Sequence, residues 1–148
     1  MAISIIGRMD KIDLPEFQIT SLEAKVDTGA FGSALHCHHI EVLEESGKEL
    51  LRFQLLDPSH PEFEDNYYYA HSFGLKEVKN SFGTREERFT IITPLVIFGQ
   101  IFTVEFSLTD RKDMRFPVLL GRTFLRKRFL VDVSKKNLSF KKSSLNKK

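Results

Sequence analysis

From Phe102 to Leu108 the chain sets apolar residues (Phe102, Val104, Phe106, Leu108) and polar ones (Thr103, Glu105, Ser107) in alternation. A period of two fits an extended strand with one face on a core, whereas a helix needs a period of about 3.6. Gly99-Gln100 stands just before this stretch, and apolar runs Phe89 to Ile92 and Leu95 to Phe98 stand before that, interrupted by Thr93-Pro94. The arrangement predicts a hairpin. A chain committed to such pairing must find partners for the hairpin's remaining edges, so the other segments need to supply strands too.

They do. Ile3 to Ile6 reaches Gly7-Arg8, Ile12-Asp13-Leu14-Pro15 closes the segment, and the whole reads as a strand bent at Gly7. Phe17 to Val26 reads as a strand whose alternation changes phase midway, as at a bulge. Ser33 to Leu43 and Leu50 to Leu56 flank the polar turn Glu44 to Glu49 and form a second hairpin. Asp57 to Pro61 is a loop, because Pro58 and Pro61 exclude regular pairing. Tyr67 to Phe73 is extended and aromatic, and Gly74 to Arg85 is polar. Pro117 to Gly121 reads as a buried run, Arg122 to Arg128 as one or two helical turns, Phe129 to Val133 as a strand, and Leu138 to Phe140 as a last short strand. Lys141 to Lys148 reads as a basic, disordered tail. The class is all-β, a small closed barrel with one short helix after the Val118-Leu119-Leu120-Gly121 segment, in a single domain over residues 1–140. The 14 phenylalanines and no tryptophan agree with strands.

Composition limits the function. A net charge of +2 does not call for nucleic acid. No run approaches the roughly 20 apolar residues of a membrane helix, so no membrane partner is expected. The start of the chain has no basic stretch followed by a long apolar core, and the lone Cys37 forms no internal disulfide; both point to the cytoplasm.

Two glycine turns carry the chemistry. Ala24-Lys25-Val26-Asp27-Thr28-Gly29-Ala30 ends an apolar approach on an acid, a hydroxyl and a glycine. Such a carboxyl is a candidate acid or base, though the commoner use of these residues is an ordinary turn between strands. Val118-Leu119-Leu120-Gly121-Arg122 is its counterpart far downstream. In an extended approach Lys25 shares a side with Asp27 and places a cation near it.

Together and in this order the two turns resemble those of the retropepsin-like aspartic proteases. The flanking residues Ser33-Ala34-Leu35-His36, Leu108-Thr109-Asp110-Arg111, Met114, Pro117 and Val131-Asp132 look like the bacterial branch labelled ATP-dependent zinc protease, often encoded with RimK-type ligases that add glutamates to proteins. Gly32 departs from that pattern, where Thr is expected. The resemblance implies a homodimeric aspartic peptidase with one Asp27 from each subunit, since one chain has one such turn and the site needs two carboxylates sharing a proton. Thr28 would brace the paired turns, Gly29 would allow their backbones to approach, and Leu120 and Gly121 would support them. Residues 67–85 are the flap candidate. Lys25, Ala30, Arg85, Arg88 and Arg122 are the candidate substrate-binding residues, and the expected substrate is an acidic, glutamate-rich peptide or glutamylated protein.

Other chemistries find less support. His36-Cys37-His38-His39 alternates faces on a strand, His36 and His38 to one side. With a distant third ligand that pair would give a zinc metallopeptidase, the weaker alternative; no metal is expected. There is no Gly-x-x-x-x-Gly-Lys-Ser/Thr loop, so no nucleotide and no cofactor are expected. Tyr67, Tyr68 and Tyr69 alternate faces and make a poor stacking platform for bases. A non-catalytic β-barrel module binding acidic peptides or protein tails is the remaining alternative.

Overall fold

A computed structural model describes residues 2–79, 82–110 and 115–146. Its strands are β1 (Ser4–Ile6), β2 (Met9–Leu14), β3 (Ile19–Val26), β4 (Ser33–Glu45), β5 (Lys48–Leu55), β6 (Tyr68–Ala70), β7 (Gly74–Lys79), β8 (Arg85–Ile97), β9 (Gln100–Thr109), β10 (Val118–Leu120) and β11 (Phe129–Val131). The helices are α1 (Arg122–Leu125) and α2 (Leu138–Asn146).

The strands close on themselves. Their order is β10-β3-β2-β8-β9-β4, and β10 pairs again with β4, so three residues of β10 join the two ends of the ring. β5 and β6 extend the sheet beyond β4, β7 adds to β8, and β1 pairs with β11 in a separate two-stranded parallel sheet. This is the expected small barrel. The inward face follows from alternation: Ile12 and Leu14 on β2, Leu22, Ala24 and Val26 on β3, and Val104, Phe106 and Leu108 on β9 are buried. The chain needs all of these segments at once, because each strand covers an edge its neighbour leaves open.

Several boundaries differ from the sequence reading, each for a local reason. β8 runs unbroken through Pro94, which pairs with Thr103 of β9. On its other edge β7 reaches as far as Thr90 and β2 meets β8 at Val96, so Pro94 lies between two partners, where its missing N–H costs little. The β8–β9 turn is Phe98-Gly99, both at positive φ (53° and 68°), one residue earlier than Gly99-Gln100. The expected phase change in β3 is real: register slips between Ile12 and Leu14, Ser21 has φ 56°, and its N–H donates to Asp13 Oδ1 at 2.9 Å. The strand begins at Ile19, however, because Pro15–Phe17 forms a 3-10 turn closed by Gln18 at φ 57°.

The last segment is the largest correction. Leu138 to Phe140 is not a strand, and Lys141 to Asn146 is not a disordered tail; together they form α2. Its Ser and Asn content gives it little helix propensity of its own. The fully buried Asp10 supplies what is missing, accepting N–H groups from Ser139 (2.9 Å) and Phe140 (3.2 Å), while Ser139 Oγ accepts the N–H of Phe98 at 2.7 Å. Arg111 to Met114, part of the family resemblance, lie outside the described residues.

Candidate active site

Parallel pairing of β3 and β10 brings the two glycine turns together. Val26 stands beside Leu120 in register, so both strands end at one level and release Asp27 and Gly121 side by side. The Asp27 N–H donates to Leu120 O at 2.9 Å. Beyond the strands, Arg122 N–H donates to Ala30 O and Thr123 N–H to Phe31 O, both at 2.9 Å, and Gly121 N–H donates to Ser33 Oγ at 3.1 Å. Arg122 Nη1 reaches back to Thr28 O at 3.0 Å. The loop carrying the acid is therefore tied along its length to the start of α1.

Gly121 is fixed by space. Its φ is −94°, open to any residue, but an added Cβ would lie 2.2 Å from Gly32 O and 3.0 Å from Ala30 O. Gly32, by contrast, has nothing within 4 Å of where its Cβ would stand, so the Thr of the family pattern would fit there.

Asp27 is half-buried. Its Oδ1 accepts the Gly29 N–H at 3.0 Å, and Oδ2 has no hydrogen-bond partner among the described residues. It faces a groove of about 1010 Å³ walled by Asp27, residues 29–34, Leu119 and the start of α1 on one side and by the β7–β8 hairpin on the other. That hairpin pairs Gly74 with Thr90 through Lys79 with Arg85, so the groove's roof is residues 74–79 with 85–90. The flap candidate of residues 67–85 is corrected at both ends: Tyr68–Ala70 pairs with β5, and the returning strand continues to Thr90.

Asp27, Gly29, Ala30, Arg88 and Arg122 all line the groove. Leu120 and Gly121 are buried behind the turn, and Thr28 is exposed beside it. Lys25 is exposed and paired with Met9 of β2, outside the groove's lining. Arg85 is also outside it, ion-paired with Glu77 at 3.2 Å. Sequence reading missed Phe31, Lys76, Lys79, Glu105 and Arg128, which line the groove as well. Alternation in β9 offered Glu105, since its outward face is the groove wall. Nothing local signals Arg128, which is brought in by the turn after α1 and held by Phe124 O at 3.0 Å.

Two groove cations are spoken for: Lys76 pairs with Glu105, and Arg88 with Glu86. Lys79, Arg122 and Arg128 have no carboxylate partner among the described residues. The wall carboxylates Glu77 and Glu105 are both ion-paired, which leaves Asp27 as the unpaired acid of the described lining.

The histidine run lies elsewhere, in β4. His36 is buried, its Nε2 2.5 Å from Asp57 Oδ2 and its Nδ1 3.1 Å from Thr109 O. The hydroxyl and N–H of Ser59, then His36, hold the Asp57 carboxyl well below the usual range against the opposing effect of burial. Alternation breaks at His39, which has φ 51°, and the His38 and His39 rings lie 3.9 Å apart. Burial, with Asp110 nearby, pushes the Cys37 thiol well up. Among the described residues no group of three or more His, Cys, Asp or Glu is placed to hold a metal ion.

Residues 5–142 match the family described as RimB-like, retropepsin-like aspartic endopeptidase RimB. The chain belongs to the RimB-like family. Curated relatives include a probable alpha-L-glutamate ligase of Desulfotalea psychrophila, 32% identical over 89% of this chain, and one of Shewanella pealeana, 28% identical over 88%. The chain spans 28% of the length of each of these relatives. The crystal structure of Lpg0085 from Legionella pneumophila, a protein with unknown function, superposes with a TM-score of 0.74 at 26% identity, covering 93% of this chain and 99% of that one. The RimB-like fold is thus mostly strand with few helices, and the family is retropepsin-like.

Proposed function

We propose that this RimB-like chain is an aspartic peptidase that works as a homodimer and cleaves peptide or amide bonds in acidic, glutamate-rich substrates. The observation that carries the reading is Asp27: a carboxylate held by backbone at a groove floor, with one oxygen unengaged and no second unpaired carboxylate in the described lining. A second copy, related by a two-fold axis, supplies the other acid. Two such carboxylates share one proton and titrate as a unit. One accepts a proton from the attacking water as the other protonates the scissile carbonyl, and the roles reverse when the tetrahedral intermediate collapses. Thr28, exposed at the turn, would brace the two loops.

The unpaired cations Lys79, Arg122 and Arg128 favour a substrate with carboxylate side chains. The relatives named probable alpha-L-glutamate ligases, which contain a region similar to this chain, support glutamate as that side chain. The test is hydrolysis of an oligo-glutamate peptide by the intact chain and by Asp27→Asn, with oligomeric state followed by sedimentation. The substitution removes the shared proton while keeping the shape, so turnover falls by at least about a thousandfold with dimer and fold unchanged. Turnover surviving in Asp27→Asn removes the aspartic mechanism, and an intact chain that binds the peptide without cutting it favours a binding module.

A further inference from the structure

The charge of the chain is unevenly placed. Residues 133–148 contain six lysines and no acid while the whole chain carries +2, so what precedes them is net acidic. The fold gathers Lys135, Lys136, Lys141 and Lys142 beside Arg8 and Lys11. Arg8 N–H donates to Lys135 O at 2.8 Å, and its guanidinium reaches Val133 O at 3.4 Å. Gly7 approaches so closely that an added Cβ would lie 2.3 Å from Lys135 O. Lys11 Nζ sits 4.4 Å above the Phe140 ring, and Lys141 and Lys142 follow on α2. Arg8, Lys135, Lys136, Lys141 and Lys142 are exposed, and Lys11 is half-buried.

None of these six cations has an ion-pair partner among the described residues. The neighbouring acids are engaged: Asp10 accepts N–H groups from Lys11, Ser139 and Phe140, and Asp132 accepts both groups of Ser134. Glu23 stands across from Lys11 in register. Cations that outnumber the acids beside them, here Glu23 across from Lys11 and Asp132 near Lys135, repel one another and are relieved when a polyanion docks. The patch also borders the catalytic turn. Arg8 O accepts the N–H of Val26 at 2.9 Å, one residue before Asp27, and Lys25 extends the cationic surface on β3.

We propose that Arg8, Lys11, Lys135, Lys136, Lys141 and Lys142 form an exosite for an acidic peptide chain, holding a glutamate-rich substrate outside the groove while one of its bonds lies at Asp27. This rests on the peptidase reading above. An acidic peptide fits better than a nucleic acid. Single-stranded nucleic acid is gripped by stacking on open aromatic rings, and Phe140, the ring within the described patch, is capped by Lys11. Five of the six cations are lysines, compact point charges that can meet carboxylates spaced along a peptide one by one.

The experiment uses the full chain carrying Asp27→Asn, so that binding is read without turnover. The probes are fluorescein-labelled glutamate peptides of about fifteen residues, roughly 50 Å when extended, and of about four. Replacing Lys135, Lys136, Lys141 and Lys142 by Gln weakens the long peptide about tenfold, an effect that shrinks as salt is added, and leaves the short one within twofold. Lys48→Gln with Lys127→Gln, away from the patch, changes neither. In the active chain the four replacements raise KM for the long peptide and leave kcat unchanged. Equal affinity of the two proteins for the long peptide overturns the exosite even where turnover persists. Lost binding in a chain that never cleaves supports the exosite and removes the peptidase reading alone. An oligo-uridine RNA held more tightly than the peptide, through the same lysines, also overturns the proposal and makes the patch a nucleic-acid surface.

Discussion

Replacing Gly121 by Ala inserts one methyl group where the Asp27 loop and the start of α1 are stitched together. The new Cβ would stand 2.2 Å from Gly32 O, 2.6 Å from Gly32 C and 3.0 Å from Ala30 O. All three are backbone atoms, so no side chain can swing away. Overpacking of this kind costs about 1–3 kcal/mol. Moving the loops apart also strains the bonds from Arg122 N–H to Ala30 O and Thr123 N–H to Phe31 O, each contributing about 1 kcal/mol. The expected destabilisation is about 2–4 kcal/mol, read as a lower urea midpoint at unchanged m-value. Gly32→Ala is the control across the same contact. Its Cβ meets nothing within 4 Å, and Gly32 is not among the glycines at positive φ, so the smaller freedom of the unfolded chain makes it neutral or stabilising by about 0.4–1 kcal/mol. Two adjoining glycines thus give opposite signs. A Gly121→Ala protein within about 0.5 kcal/mol of the parent, or a Gly32→Ala protein as destabilised as Gly121→Ala, refutes the steric account.

Other perturbations test other parts of the molecule. Asp10→Ala removes the acceptor for the first N–H groups of α2, costs about 1–3 kcal/mol, and opens Lys141 and Lys142 to trypsin; unchanged cleavage there would show the helix to be held by something else. The Asp57 carboxyl is held below its ordinary value of 3.8, so its stabilisation is complete above that pH and is lost as pH falls below it. The urea midpoint of the parent should therefore drop more steeply than that of Asp57→Asn below about pH 4, and parallel curves would sink the assignment. Cys37, buried with its thiol raised, should resist alkylation in the native chain and react at the rate of global unfolding; rapid native labelling would contradict its burial.

The parts of the fold legible in the sequence were those whose cause is local. Alternation in Phe102 to Leu108 announced β9, and the phase change before Leu22 announced the bulge at Ser21. The matched glycine turns announced a meeting of two strand ends, because each turn needs the other's backbone to complete it. What escaped notice has a distant cause. α2 exists through Asp10, a residue 129 positions before Ser139, and no pattern within residues 138–146 records that. Pro94 reads as a break unless the gap between β7 and β2 is known. Arg128 enters the groove through the turn after α1, and the roof of the groove is set by the Gly74–Thr90 pairing instead of by the aromatic run before it.

The short strand β10 closes the ring and also supplies the carbonyl that receives the Asp27 N–H. One consequence concerns the order in which the chain is made. Asp27 emerges from the ribosome long before Leu120, and until residues 118–123 follow, neither the acid's loop nor the wall beside it can be assembled. The chain therefore carries Asp27 without this groove around it until residues 118–123 have followed. The same three-residue strand that completes the barrel sets the moment at which the groove first exists.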